Sequence, residues 1–350
     1  MPPSPSREAR RRRRAAVFGA SPARPEAGLP EAGLPEAGLP EAGPPLRAVC
    51  GIVLDASPHL LVLAAGGTEV RLAMSGDTGV WHGGRGGLAA LRPGRPVIVR
   101  QRESGVTDRT LRGGTTPHAP RGVFVADRVW VDIRRVAGTI LACEKDTVEV
   151  DMGPHRGRAH VVIPPHALER VLVRHPRLQP GYLIDVICVG SPDGPRAVRP
   201  GTSQPGYRAD DLAAPEPTAP VPGVLRGTAT WFGDAGGAAP DGAAYPAVDS
   251  EGAAGGCADA PPGCVPFPYL SVGSGITVHN ECRRRAAAVP VVECGCTAAR
   301  FCDRCVECDA SPRGRIVELT PVAFAGLGGD LDAGCFNASV RPDLPLEGSW

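Results

Sequence analysis

The chain has 350 residues and a formal net charge of +1 at pH 7. That length allows two or three domains, and so small a charge gives no global field that would select nucleic acid or an anionic membrane as partner. No stretch approaches the roughly 20 apolar residues needed to cross a bilayer, and the basic residues are almost all arginine, with Lys145 the one lysine.

The first 45 residues do not read as a folded unit. Arg7 and the run Arg10–Arg14 precede a short apolar stretch, Ala15-Ala16-Val17-Phe18-Gly19-Ala20. This begins like a secretory signal with a weak hydrophobic region, and a basic arm is the alternative. PEAGL then recurs from Pro25, Pro30 and Pro35, and PEAGP starts at Pro40. A tract of Pro, Glu, Ala and Gly cannot bury a core, so residues 1–45 are expected to be a disordered, semi-stiff tether.

From Ala48 the pattern changes to short strands with Gly and Pro turns, and it is duplicated. Gly51-Ile52-Val53-Leu54 matches Gly138-Thr139-Ile140-Leu141, and Leu91-x-Pro93-Gly94 matches Leu178-x-Pro180-Gly181, both at an offset of 87 residues. Two anchors with one offset indicate an internal repeat. Residues 46–135 and 136–190 are therefore expected to be two small OB-like β-barrels, with Val97–Arg100 and Leu183–Val189 as their last strands. His155, His160, His166 and His175 cluster in the second copy without a zinc-type spacing. The repeats also lack the interleaved aromatic and basic residues of an oligonucleotide platform, so no nucleic-acid partner is expected. Trp81 and Trp130 read as packing residues. Residues 191–222, rich in Pro and Gly, read as a linker.

The domain at 223–350 opens with Gly227–Asp234, containing Trp231 and Phe232, and continues through Tyr269–Val278 and Val289–Cys296. An alternating segment follows, Cys302 to Asp309, then a Ser-Pro-Arg-Gly turn and the strand Ile316–Leu319. Thr320 followed by Pro321 marks the start of a short helix carrying Phe324 and Leu327 toward the core. Leu331–Val340 supplies a last strand. The whole chain is thus expected to be all-β.

Four segments of this domain carry a resemblance: GTATWFGD, LSVGSGITV, CDRCVEC and IVELTPVAF, in that order. Together they resemble the double-psi β-barrel of the RlpA, expansin and barwin-like group. The resemblance covers about the last third of the chain and implies a six-stranded barrel with an acidic groove. It implies binding of cell-wall polysaccharide, peptidoglycan ahead of cellulose, with cleavage or loosening as the activity: lytic transglycosylase-like or glycoside hydrolase-like. It also implies a secreted or wall-associated protein. Carried over by position, Asp303 falls on the group's acidic site, an alternative register puts Asp309 there, and Glu318 falls on the acid of its later strand. Asp234 lies where cellulase-like relatives place a second carboxylate. The chain departs from the group at Phe232, Val306 and Glu307, where Tyr, Pro and Gly are usual, and Phe267-Pro268-Tyr269, just ahead of Leu270, holds no His.

Glycoside cleavage needs one protonated carboxyl and usually a second as base or nucleophile. Asp303 or Asp309 is the candidate acid, raised by desolvation, with Glu318 or Asp234 as its partner. Trp231, Phe232 and Tyr269 are the candidate sugar platform, since an aromatic face suits the C–H side of a pyranose. No cofactor is expected. Structural hydrogen bonding by Asp303 and Glu318, in a non-catalytic structural or protein-binding module, is the alternative.

Of the 12 cysteines, nine lie between Cys257 and Cys335. The spacing of Cys294-Gly-Cys296, Cys302-x-x-Cys305 and Cys305-x-x-Cys308 invites a zinc reading. Odd and even positions of a strand face opposite ways, which counts against one shared ion. The resemblance to disulfide-bearing relatives implies bridges and no metal. Cysteine-based catalysis finds no nearby histidine in the sequence except His279.

Overall fold

A computed structural model describes residues 47–103, 124–202, 223–237, 241–248, 265–302, 304–306, 308 and 314–342. The expected tether and the acids Asp303 and Asp309 lie outside them. The described residues are mostly strand and form three sheets.

The first unit contains β1 (Arg47–Ala56), β2 (Leu60–Ala65), β3 (Thr68–Ala73), β4 (Gly79–Trp81), β5 (Pro96–Glu103) and β6 (Phe124–Val131). Its order is β3-β2-β1-β5-β6-β4, and β3 also meets β6 in parallel through Ala73 and Val125. The second contains β7 (Ile133–Glu144), β8 (Thr147–Asp151), β9 (Arg158–Val162), helix α1 (Pro165–Arg174), β10 (Leu183–Val189) and β11 (Arg196–Pro200). It closes as β10-β11-β9-β8-β7.

The two orders superimpose. With the short β4 set aside, the first strand of each pairs with the second and fourth, the second with the third, and the third meets the fifth in parallel. The duplicated anchors perform the same task in both copies. Gly94 N–H donates to Val53 O and Gly181 N–H to Ile140 O, each at 2.8 Å, so the Leu-x-Pro-Gly turn caps the same bulged point of the first strand. A Cβ on Gly51 would lie 2.6 Å from Ala64 O, and one on Gly138 would strike Asp151 O. Only glycine lets the neighbouring hairpin strand approach so closely.

Two expectations need correction here. In each copy a further strand, β6 or β11, follows the one expected to be last, and β11 falls inside the expected linker. Its Pro- and Gly-flanked Arg-Ala-Val-Arg-Pro is polar on its own, and β10 and β9 make it a strand by pairing with it.

The third unit contains β12 (Leu225–Trp231), β13 (Ala243–Tyr245), β14 (Gly275–Asn280), β15 (Arg285–Cys294), β16 (Arg315–Leu319), helix α2 (Pro321–Gly326) and β17 (Cys335–Pro342). It is a closed six-stranded barrel in the order β12-β16-β13-β15-β14-β17. The barrel is mixed: β12–β16 and β13–β15 run parallel, and the other pairs antiparallel. Thr320 precedes α2 with Pro321 in its first turn, as the sequence signal predicts. Cys302, Arg304–Val306 and Cys308 lie outside the strands, so their alternation is not a pleat. Cys308 is bonded instead to Cys282 in the turn after β14, and Cys305 N–H donates to Thr228 Oγ1 at 3.1 Å.

The units are not beads on a string. Trp81, Trp130, Ile133 and Ile187 share one buried apolar cluster with Trp231, Phe324 and Leu331 of the third barrel. The loop between α2 and β17 is held from both sides. Arg100 donates to Asp330 and Trp130 Nε1–H to Asp332, at 2.9 and 2.8 Å, while Arg135 donates to Gly334 O. No helix among the described residues is long and apolar enough to cross a membrane.

Candidate functional site

β16 is buried at all five of its residues, two of them charged. In a regular strand Arg315 and Glu318 would face opposite ways. A bulge intervenes: Arg315 pairs with Thr228 but Val317 with Ala229, so one extra residue sits between them. Arg315 and Glu318 therefore meet, Nη1 to Oε1 at 3.0 Å, on the side facing the second barrel.

The second barrel answers with charges of its own. Arg135 from β7 and Asp185 from β10 are paired through two hydrogen bonds, 2.9 and 2.6 Å, and Arg315 also donates to Asp185. The turn joining β8 to β9 projects Arg156 onto the third barrel, where it donates to Glu318 Oε2 at 2.6 Å and to Glu293 of β15 at 2.7 Å. The result is an alternating chain across the interface: Arg135, Asp185, Arg315, Glu318, Arg156, Glu293. Three guanidinium groups meet three carboxylates, which is how so much charge can leave water without a net buried charge. Arg156 also stacks over the Phe232 ring at 4.1 Å and Arg315 over Phe301 at 3.9 Å.

Beside this chain lies a cavity of about 220 Å³, lined among others by Arg134, Arg156, Trp231, Phe232, Glu293 and Glu318. Sequence reasoning named three of these, Trp231, Phe232 and Glu318, and the structure brings them together. Trp231 is fully buried and its Nε1–H donates to Leu331 O at 2.9 Å, so it forms a wall belonging to the core. Phe232 presents its ring beneath Arg156. Asp234 sits at the edge, bridged to β7 and ion-paired with Arg134 at 3.3 Å. Tyr269 packs against the shared core and is not part of the cavity lining. The arginines and Glu293 were missed. Arg156 lies 162 residues from Glu318, and no local pattern links a turn in one barrel to a strand in another.

The electrostatics fix the protonation of the buried acids. Burial alone would push Glu318 up, but Arg156 and Arg315 outweigh it and hold the carboxyl below its ordinary value. Burial likewise opposes ionisation of Asp185, and Arg135 and Arg315 override it, placing that carboxyl below the usual carboxylate range. Glu318 is thus an ionised acceptor, suited to be a base or a charge partner and not a proton donor.

Because both folded values are depressed, their stabilisation is complete above the unfolded carboxylate pKa values of about 3.9 and 4.3. It is lost as pH falls through the lower folded values. The urea midpoint should therefore drop steeply on acidification below about pH 4; a midpoint that stays level down to about pH 2 would contradict the buried chain of charges.

One cluster has the spacing of a metal site. His155, Cys294 and Cys296 place their donor atoms within 4.8 Å of one another. Cys294, however, is disulfide-bonded, as is Cys302, and a disulfide sulfur is not the thiolate that zinc requires. No protein-family model matches the chain, and no curated protein matches it either.

Proposed function

We propose that the chain is a secreted or wall-associated protein that binds cell-wall glycan, peptidoglycan ahead of cellulose, at the cavity between its second and third barrels. The observation that carries this reading is the cavity itself, where Phe232, Trp231 and an ionised Glu318 meet beside arginines. At about 220 Å³ it falls below the ~300 Å³ of drug-sized pockets, which suits a single sugar ring. Arg134 at the rim favours a polymer that carries carboxylates, as peptidoglycan does on its peptides and cellulose does not. The parallel pairings within the closed six-stranded barrel support placing it with the double-psi barrels that the four sequence segments resemble.

Cleavage on this reading is lytic transglycosylase-like or glycoside hydrolase-like. It requires a proton donor, and Glu318 does not serve as one; Asp303 or Asp309 would be the donor, with Glu318 or Asp234 as the ionised partner. A specific observation favours a second reading, a non-catalytic module. Both oxygens of Glu318 are already occupied by arginines, so the group can be wholly structural.

Titration calorimetry with soluble peptidoglycan strands and with cello-oligosaccharides tests the binding claim. Peptidoglycan strands should bind more tightly, and Phe232→Ala should weaken them roughly tenfold, about 1.4 kcal/mol. Absence of binding to either polymer ends the glycan reading. Product analysis of Asp303→Asn, Asp309→Asn and Glu318→Gln, each alone, then separates the two forms. Turnover abolished by one aspartate variant establishes the donor, and no turnover in the wild type leaves the non-catalytic module.

A further inference from the structure

We propose that Cys294, Cys296 and His155 form a thiol–disulfide exchange site, in which the Cys296 thiol attacks the disulfide sulfur of Cys294. Two sulfurs in different states lie side by side here: Cys294 is disulfide-bonded, while Cys296 is a free thiol. Their Sγ atoms, and a ring nitrogen of His155, are mutually within 4.8 Å. Sulfur exchange needs a thiolate, a disulfide within reach and a place for the proton, and these three residues supply all of them.

The surroundings favour attack from inside the protein. Cys294 and Cys296 are buried, at 3% and 8% exposure, and the crevice they share with His155 has no room for a water-sized molecule. An external thiol cannot enter this crevice, whereas Cys296 is already beside the Cys294 sulfur. Burial pushes the Cys296 thiol up, and Arg156 and Arg300 only partly offset this. The thiol thus rests protonated and needs a base. His155 comes from the β8–β9 turn, which Thr297 anchors by donating to Met152 O at 3.1 Å. The base and the sulfur pair therefore belong to different barrels, and the site exists only when the two are docked.

The step balances without an added oxidant or reductant. His155 accepts the Sγ proton of Cys296. The thiolate forms a bond to Cys294 Sγ as the bond from Cys294 to its present partner breaks. The electron pair leaves on the partner sulfur, which takes up a proton from solvent as the His155 imidazolium returns one to it. One disulfide and one thiol exist before and after, and the product is a bridge within Cys294-Gly295-Cys296.

The full chain offers a direct readout, because trypsin cleavage after Arg285 and Arg300 releases residues 286–300 with both sulfurs on one peptide. The native protein is held at mildly alkaline pH with a slow alkylating agent to trap the released thiol, then acid-quenched and digested without reduction. Exchange should yield this peptide alone, two hydrogens lighter than its dithiol form, in an amount that grows with time. Cys296→Ser should abolish that species, and His155→Gln should slow its appearance roughly a hundredfold, as for loss of a general base. If the wild-type peptide is recovered only cross-linked through Cys294, with Cys296 alkylated or unreacted, the proposal fails. An unchanged rate in His155→Gln removes the base and overturns the site as assigned.

Discussion

Asp185→Asn should lower the free energy of unfolding by about 3–5 kcal/mol, the cost of leaving buried guanidinium groups without their carboxylate. Asp185 is wholly buried and is shared by Arg135 and Arg315, one from its own barrel and one from the third. Both arginine side chains are at most 1% exposed, so water cannot replace the lost charge. Asparagine keeps the shape but accepts through one oxygen only, and its NH2 group would face a guanidinium donor, so hydrogen bonding is lost along with the charge. Guanidinium unfolding at neutral pH measures it, and a change below about 1 kcal/mol, the range of an exposed ion pair, would show that the interface does not depend on this group. Acidified wild type should converge on the behaviour of the variant, because protonation removes the same charge.

Gly334→Ala should destabilise the same interface by roughly 2–5 kcal/mol, combining about 1–2 for a left-handed backbone with about 1–3 for overpacking. Gly334 has φ +88°, and an added Cβ would strike the carbonyl oxygen of Gly201 in the second barrel. Neither side can yield cheaply. Gly201 N–H donates to Asp185 O at 2.8 Å, and the Gly334 carbonyl accepts from Arg135. This loss is steric, so it should be as large at pH 3 as at pH 7, whereas that of Asp185→Asn shrinks as pH falls below about 4. A thermal midpoint equal to wild type at both pH values would mean that the two barrels are not packed through Gly201 and Gly334.

The duplication was legible because its carriers are local. Glycine at 51 and 138 and the Leu-x-Pro-Gly turns answer to a hairpin bulge that each copy builds for itself. Helix α2 was legible for the same reason, from Thr320, Pro321 and the apolar Phe324 and Leu327. The extra strand β11 was not, since Arg196–Pro200 acquires its structure from β10 and β9. The segment from Cys302 to Cys308 misled in the opposite direction. Its period-two pattern resembles a strand, yet the bond from Cys308 to Cys282 and the contact from Cys305 to Thr228 serve a non-strand path.

Trp231, Phe232 and Glu318 are candidates in the sequence and line one cavity in the fold, but the residues around them are not legible in the sequence. A strand pattern can say that Glu318 lies on β16; it cannot say that a bulge turns it toward Arg315, or that Arg156 arrives from another barrel. The same holds for His155, which the chain keeps far from Cys296 and the fold brings within 4.8 Å.

The all-β class and the repeat can be read along the chain, because side-chain alternation and Gly/Pro turns act over a few residues at a time. That Glu318 is ionised and clamped, that a cavity remains beside it, and that His155 meets a thiol and a disulfide sulfur follow from the packing of separate barrels. Those properties depend on which charges and sulfurs share a volume from which water is excluded, and that volume is formed by packing one barrel against another.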